Sequence, residues 1–246
     1  MSEFGLSQIG VIRSPYKEKF AVPRQPGLVP DGTGELHLLA PYNQPEAVRG
    51  LDAFSHIWLL FIFNQTMGQG WHPTVRPPRL GGNSRIGVFA TRSTFRPNAI
   101  GMSLVALNAV RIFKAEVVLE LGSMDLVDGT PVVDIKPYLP YAESIPSARA
   151  GFAQQIPAAD MGVDFSLGAA ARIEALAPRY PHLRRFISDV LAQDPRPAYR
   201  KTHGGEQTYA VRLMEFNIRW RVTGNIAEVI AIEDAAAMNS PPPAVG

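Results

Sequence analysis

The chain has 246 residues, an apolar content of 46% and a formal net charge of +2, enough for a substantial core divided between a main domain and a smaller one. It contains no cysteine, which excludes a disulfide framework, a thiolate zinc site and a cysteine nucleophile. Met1 to Gly10 has no basic segment followed by an apolar core, and the longest apolar run, Ile57 to Phe63, is far too short to cross a bilayer. The expectation is a protein of the reducing cytosol, with no membrane partner.

In chain order, the first two-thirds read as strands. Apolar, β-branched or aromatic runs fall at Ser7 to Ile12, Gly34 to Leu39, His56 to Asn64, Arg85 to Thr91, Met102 to Ile112, Val117 to Met124 and Val132 to Ile135. Turn-forming residues separate them at Asp31-Gly32, Gly81-Gly82-Asn83, Arg96-Pro97-Asn98 and Asp128-Gly129. One helix is predicted from Pro45 to about Phe54, with Pro45 in its first turn. Short strands with little helix between them favour an antiparallel barrel or sandwich over alternating βαβ units. From Ala150 to Phe165 the pattern lapses, and the domain boundary is placed there.

Beyond it, a helix is predicted from an N-cap at Ser166 to about Ala177. A second runs from about Pro181 to Gln193, with Leu183, Phe186, Ile187, Val190 and Leu191 on one face. Asp194-Pro195-Arg196-Pro197 stops it, because proline removes the next backbone hydrogen bond. Strands near Thr208 to Leu213, Glu215 to Val222 and Ala227 to Ile232 follow, the last two joined through Gly224-Asn225, and the proline-rich tail from Ser240 reads as disordered. The predicted class is mainly β: an antiparallel β-barrel over residues 5–150 and a small α+β domain over 160–235.

Several chemistries are absent. No G-x-G-x-x-G follows a strand, and there is no P-loop, G-x-S-x-G or H-E-x-x-H. Histidines 37, 56, 72, 182 and 203 lack metal-ligand spacing, so no metal site is expected. His56, inside an apolar run, reads as a structural imidazole. Between Ala53 and Ala115 there is no Asp or Glu, while Arg76, Arg79, Arg85, Arg92, Arg96, Arg111 and Lys114 lie there. This basic stretch either attracts phosphates or finds its counter-charges elsewhere in the fold, and charge alone does not separate the two.

Four segments carry more chemistry than turns require. Pro23-Arg24-Gln25-Pro26-Gly27 sets an Arg-Gln pair in a loop stiffened by prolines. Gly87 to Asn98 ends in two arginines, three hydroxyls and an Asn, donors suited to carboxylate or phosphate. Asp125-Leu126-Val127-Asp128-Gly129-Thr130-Pro131 reads first as a hairpin turn, although its carboxylates also suit ribose hydroxyls or an adenine amino group. Asp134-Ile135-Lys136-Pro137-Tyr138-Leu139-Pro140-Tyr141 crowds acid-base groups and phenols against prolines.

Taken together, Phe54-Ser55-His56-Ile57-Trp58, the run Ala90 to Asn98, Asp128-Gly129-Thr130-Pro131 and Asp134-Ile135-Lys136-Pro137-Tyr138 resemble the TsaA-like family. Its best understood members are tRNA N6-methyltransferases, often called TrmO. The resemblance covers roughly residues 5–150 and continues through Gln193-Asp194-Pro195-Arg196-Pro197-Ala198-Tyr199, a signature of bacterial two-domain members. It implies a β-barrel catalytic domain, usually in a homodimer, that binds S-adenosylmethionine and methylates N6 of threonylcarbamoyladenosine beside the anticodon of threonine tRNA.

Carried over by motif, cofactor contacts fall on Pro23, Arg24, Gln25, Asn64, Gln65, Arg92, Met102, Asp125, Leu126, Val127 and Asp128. The candidates for activating the acceptor are Asp134, Lys136 and Tyr138. Arg96, Arg196 and Arg200 are the candidates for tRNA or the acceptor carboxylate, with Arg184, Arg185 and Lys201 as further backbone contacts. The chain departs from the family pattern at Thr94 and Ala99, where prolines are expected, at Met102 in place of Leu and at Asn64 in place of His. The rival readings are a non-catalytic RNA-binding module and a methyltransferase for a small molecule or a protein.

Overall fold

The computed structural model describes residues 4–80, 84–196 and 207–235. The chain folds as two compact units, residues 1–14 with 24–157 and residues 15–23 with 158–246.

The first unit is a closed barrel of β1 (Gly10–Arg13), β2 (Gly34–Leu38), β3 (His56–Ile62), β6 (Ile100–Phe113), β7 (Glu116–Leu121) and β8 (Pro131–Pro137), in the order β1-β2-β7-β6-β3-β8. Every neighbouring pair is antiparallel. Closure pairs both edges of the sheet and leaves no template for aggregation. Alternation along β3 turns Ile57, Leu59 and Phe61 inward, where they meet Ile12, Leu36, Val105, Leu119 and Val132. Gly34 and Gly101 are among the barrel positions where close approach calls for glycine. A Cβ on Gly34 would lie 2.4 Å from the Arg13 carbonyl oxygen, and one on Gly101 would lie 2.4 Å from the Phe61 ring, closer than any side chain tolerates.

The register fixes which connections share an end of the barrel. β1, β3 and β7 finish where β2, β6 and β8 begin, since Arg13 opposes Glu35, Gly34 opposes Leu121, Ile62 opposes Ile100 and Phe61 opposes Val132. The β1–β2, β3–β6 and β7–β8 connections therefore all open at that one end. The middle connection carries the short pair β4 (Thr74–Val75) and β5 (Ile86–Gly87). On the barrel wall Glu35 sits opposite Glu120, a like-charge pair that would repel. Arg111 bonds both carboxylates, reaching Glu120 through Nε at 2.6 Å. For this arginine of the acid-free stretch, the counter-charges do arrive from elsewhere in the fold.

The second unit is a four-stranded sheet in the order β10 (Gln207–Leu213), β11 (Phe216–Thr223), β12 (Ile226–Asp234), β9 (Gly162–Phe165), antiparallel except for the parallel β12–β9 pair. After β8 the chain makes one helical turn, α1 (Pro140–Glu143); in the second unit α2 (Leu167–Leu176) packs on β12 and β9, and α3 (Leu183–Ala192) on β9 and α2. Ser166 caps α2, accepting the Ala169 N–H at 3.2 Å. The face of α3 expected to be apolar is buried at Leu183, Phe186, Ile187, Val190 and Leu191. Residues 15–23 belong to this unit, although the sequence pattern assigns them to the first. Tyr16 is fully buried, pairs with Leu213 and packs with its ring tilted 43° to that of Phe186, 5.9 Å between centres, while the Pro15 carbonyl accepts the Met214 N–H at 2.7 Å. The segment thus covers the free edge of β10.

Other local expectations are corrected. In place of a helix from Pro45 to Phe54 there are two 3-10 turns, Pro45–Val48 and Leu51–Ala53, because Gly50 between them takes φ 81. The strand expected over Arg85 to Thr91 stops at Gly87. The next residues form a 3-10 turn, Val88–Ala90, whose first carbonyl is taken by the Thr91 hydroxyl at 2.9 Å and the Arg96 guanidinium at 3.3 Å. β9 lies in the stretch where the pattern lapses. Asp128-Gly129 does form a turn, with Gly129 at φ 78, but the strands flanking it are not partners in the barrel, so it is not a hairpin. Gly81-Gly82-Asn83, the Pro197 to Arg200 loop and the proline-rich tail lie outside the described residues.

Candidate functional site

Three loops at the shared end of the barrel are bonded to one another. From the 24–29 loop, the Gln25 Oε1 accepts an N–H of Arg92 at 2.7 Å, which ties it to the loop before β6. The Gly27 N–H donates to the Ser123 hydroxyl at 3.0 Å, and that hydroxyl donates to the Val29 carbonyl at 2.7 Å, which ties it to the β7–β8 loop. In turn, Ser103 on the inward face of β6 donates its hydroxyl to the Asp125 carboxylate. Burial raises the Asp125 carboxyl above its ordinary value, while the Ser103 hydroxyl, its own backbone N–H and the Arg92 charge pull it back. A partly buried carboxylate, a guanidinium and a carboxamide from three distant stretches of sequence thus share one corner.

The remaining residues of these loops hold the backbone. The Asp128 carboxylate accepts the Ser14 N–H at 2.9 Å, the Leu126 carbonyl accepts the Ser14 hydroxyl at 2.8 Å, and the Val127 carbonyl accepts the Thr130 hydroxyl at 2.7 Å. Leu126 is buried. Arg96 donates to the Thr91 carbonyl at 2.7 Å as well as to Val88, and its guanidinium lies 5.8 Å from the Phe89 ring centre. The hydroxyls of Thr91 and Ser93 accept the N–H groups of Ser93 and Phe95, so they shape the loop. Ala99, where the family pattern has proline, stands at φ 35, which a proline ring cannot adopt.

Asn64 and Gln65 are exposed just beyond β3, beside the start of β6, where the Phe63 N–H reaches the Ala99 carbonyl at 2.9 Å. Arg24 is exposed, and Pro23 is the last residue of the segment assigned to the second unit. Met102 faces outward from β6 and is 48% exposed.

On the outer wall, Met102 and Asp134 both oppose Leu60, and Leu104 and Lys136 both oppose Trp58. Opposed side chains lie about 5 Å apart, so Met102, Asp134 and Lys136 share one face. Asp134 and Lys136 form an exposed ion pair at 2.9 Å. Tyr138 is not brought to the loop cluster. It sits at the other end of β8, about 20 Å of strand from Val132, where its N–H bonds the His56 carbonyl at 3.1 Å. Its ring packs edge-on to His56 and Trp58, each 6.4 Å away. Trp58 donates its indole N–H to Glu143 at 2.7 Å.

In the second unit, Arg196 grips Asp194 through two bonds of 2.7 and 3.1 Å, with its side chain only 13% exposed. The Asp194 bond raises its pKa further above an already high value. Arg184 lies 4.6 Å from the Phe165 ring centre. Arg200 and Lys201 fall outside the described residues. Pattern reasoning missed Ser103 and Ser123. For Ser103 the signal was present, as a hydroxyl in the inward phase of an otherwise apolar strand.

A closed antiparallel barrel that gathers polar loops at one end, followed by a separate α+β unit, sets the chain in the β-barrel class, outside the Rossmann one. Comparison with known proteins makes the assignment specific. The family model of the tRNA-methyltransferase O N-terminal domain matches residues 11–144, and that of the TrmO C-terminal domain matches residues 158–235. A relative from Escherichia coli (strain K12), named tRNA (adenine(37)-N6)-methyltransferase, is 67% identical over 233 residues, 95% of this chain and 99% of its own. A Pseudomonas aeruginosa relative, named putative S-adenosylmethionine-dependent methyltransferase RcsF, is 47% identical and covers 87% of this chain and 91% of its own. The solved structure of TrmO from Pseudomonas aeruginosa superposes with a TM-score of 0.76 at 39% identity, over 94% of this chain and 98% of that one. The chain belongs to the tRNA-methyltransferase O family.

Proposed function

We propose that the chain is an S-adenosylmethionine-dependent methyltransferase that modifies N6 of the adenosine next to the anticodon of tRNA, in its threonylcarbamoyl form. The observation that carries this reading is the stitching of the 24–29, 88–96 and 122–130 loops at one barrel end through Gln25–Arg92, Gly27–Ser123 and Ser103–Asp125. The donor set fits the cofactor. Arg92 offers N–H groups to its carboxylate, Asp125 accepts from ribose hydroxyls or the ammonium, and exposed Asn64 and Gln65 offer amides to the adenine.

Bound there, the cofactor supplies an electrophilic methyl on sulfonium sulfur. The task left to the chain is positioning, together with activation of a weakly nucleophilic nitrogen conjugated to a carbonyl. On the face shared with Met102, Lys136 polarises the ureido carbonyl and Asp134 takes the proton. Tyr138 follows Lys136 by two residues in the same phase of the chain and packs on Trp58, which opposes Lys136, so its phenol borders this face on the side away from the loops. Arg96 meets tRNA through guanidinium N–H groups that its own loop leaves over, and Arg196, held by Asp194 and Tyr209, joins it with Arg200.

We also assign a homodimer. Ile112 and Phe113, 50% and 67% exposed, leave an apolar patch at the far end of β6 that a second copy would cover. Sedimentation equilibrium should give twice the 26.9 kDa chain mass; a single-chain mass at tens of micromolar would refute it.

Two measurements separate this function from its rivals. S-adenosylmethionine should raise Tm in proportion to the logarithm of its concentration, as a ligand of the native state must, whereas a non-catalytic RNA module would show no shift. Affinity for tRNA should fall steeply with salt, as counterion release requires, whereas a methyltransferase for small molecules would bind tRNA weakly at any salt.

A further inference from the structure

We propose that Ser103 is a positioning residue that holds the Asp125 carboxylate in its ligand-accepting state. Packing alone does not call for a hydroxyl there. Ser103 is 1% exposed, opposes buried Leu59 and shares its inward phase with Gly101, Val105 and Leu107. Every in-phase neighbour on β3 is apolar too, so a hydroxyl in this lining loses its hydration and is stable only with a partner. Its partner is Asp125, whose carboxyl burial raises above its ordinary value.

The bond does two things. It occupies one carboxylate oxygen and so fixes the rotation of the side chain, and it favours the charged form over the neutral one. Arg92 acts in the same direction through its charge, and it is the charged group that bears on Asp125 among the described residues. Arg92 stands on the opposite loop and is held by Gln25. Ser103, fixed in the barrel wall, is the rigid half of this support, and Arg92 is the half that can turn to a ligand.

The inference rests on the reading that Asp125 contacts the cofactor, and the experiment separates the two. The carboxyl of Asp125 is titrated by carbon-13 NMR in the free protein, and the affinity for S-adenosylhomocysteine is measured by calorimetry from pH 4 to 8, for the parent, Ser103→Ala, Ser103→Thr and Asp125→Asn. Loss of a donor to the charged form raises an acid's pKa. Ser103→Ala should therefore move the Asp125 midpoint up by about one pH unit, tenfold in the acid constant, and the acidic loss of affinity should move up with it. Ser103→Thr, which keeps the hydroxyl, should restore both. An Asp125 midpoint unchanged by Ser103→Ala would overturn the inference whatever the ligand data show. Unchanged affinity in Asp125→Asn would overturn the cofactor reading while leaving the NMR result to stand or fall by itself. A purely structural serine would lower Tm without moving either midpoint.

Discussion

For both Asp125 and Arg92, the expectation is that removal weakens binding without lowering stability. A carboxyl whose pKa is raised by folding keeps a proton that the unfolded chain releases, so its contribution to stability is full below about pH 4 and is lost as pH climbs through the folded value. Asp125→Asn removes that loss. Its Tm at neutral pH should equal or exceed the parent's, with a flatter pH dependence above about pH 4, while cofactor affinity falls. Stability given up to keep a charge in place is a common mark of a working site. A variant that loses Tm at neutral pH would show instead that the carboxylate serves the fold. Arg92→Ala should weaken S-adenosylmethionine binding by about 1–3 kcal/mol, the scale of a lost charged hydrogen bond. Because Arg92 is itself exposed and bonds a half-buried Gln25, Tm should hardly change, and calorimetry on the folded variant checks both statements. Asp128 differs from both, since its bond to the Ser14 N–H makes it a support of the loop.

Among the elements, residues 15–23 make the least expected contribution. Tyr16 lies fully buried against Phe186 and bridges Leu213, so Tyr16→Ala should cost about 3–5 kcal/mol, the range for an emptied aromatic site. The loss should appear as faster amide exchange in β10 and α3, with β3 and β6 unchanged; uniform exchange across β10 and α3 in parent and variant would contradict it. This contact was invisible in the sequence, because a strand pattern reports which face is buried and not against what. The barrel strands were legible for the opposite reason. The alternation of Ile57, Leu59 and Phe61 is local and strong, as is the α3 stripe from Leu183 to Leu191. Pro45 to Phe54 misled because one glycine, Gly50, divided a fair helical pattern. Asp128-Gly129 misled because turn chemistry names a turn and not the strands it joins. In the candidate site, motif resemblance supplied the residues that the loops bring together. Ser103 could be sensed only as a hydroxyl out of keeping with its strand, and no local rule pointed to Asp125 as its partner. Asp134, Lys136 and Tyr138 lie at alternate positions, and the run of β8 spreads them from the loop end toward the opposite end of the barrel.

At the scale of the whole molecule, the proposed function divides between a barrel that holds a methyl donor and a second unit that serves tRNA. The barrel strands end in step, so that connections far apart in sequence open at one end. The family assignment spans both units, since the two domain models match residues 11–144 and 158–235. A chain built this way should act on the intact nucleic acid and leave free nucleosides unmodified, because single nucleosides lack the phosphates that the arginines would engage. The most direct test is nucleoside mass spectrometry of tRNA that carries threonylcarbamoyladenosine, digested after incubation with the protein and S-adenosylmethionine. The threonylcarbamoyladenosine peak should fall and a species heavier by one methyl should rise in its place, with the new methyl on N6. No heavier nucleoside after incubation with folded, cofactor-binding protein would contradict the proposed function, as would a methyl placed on any other base.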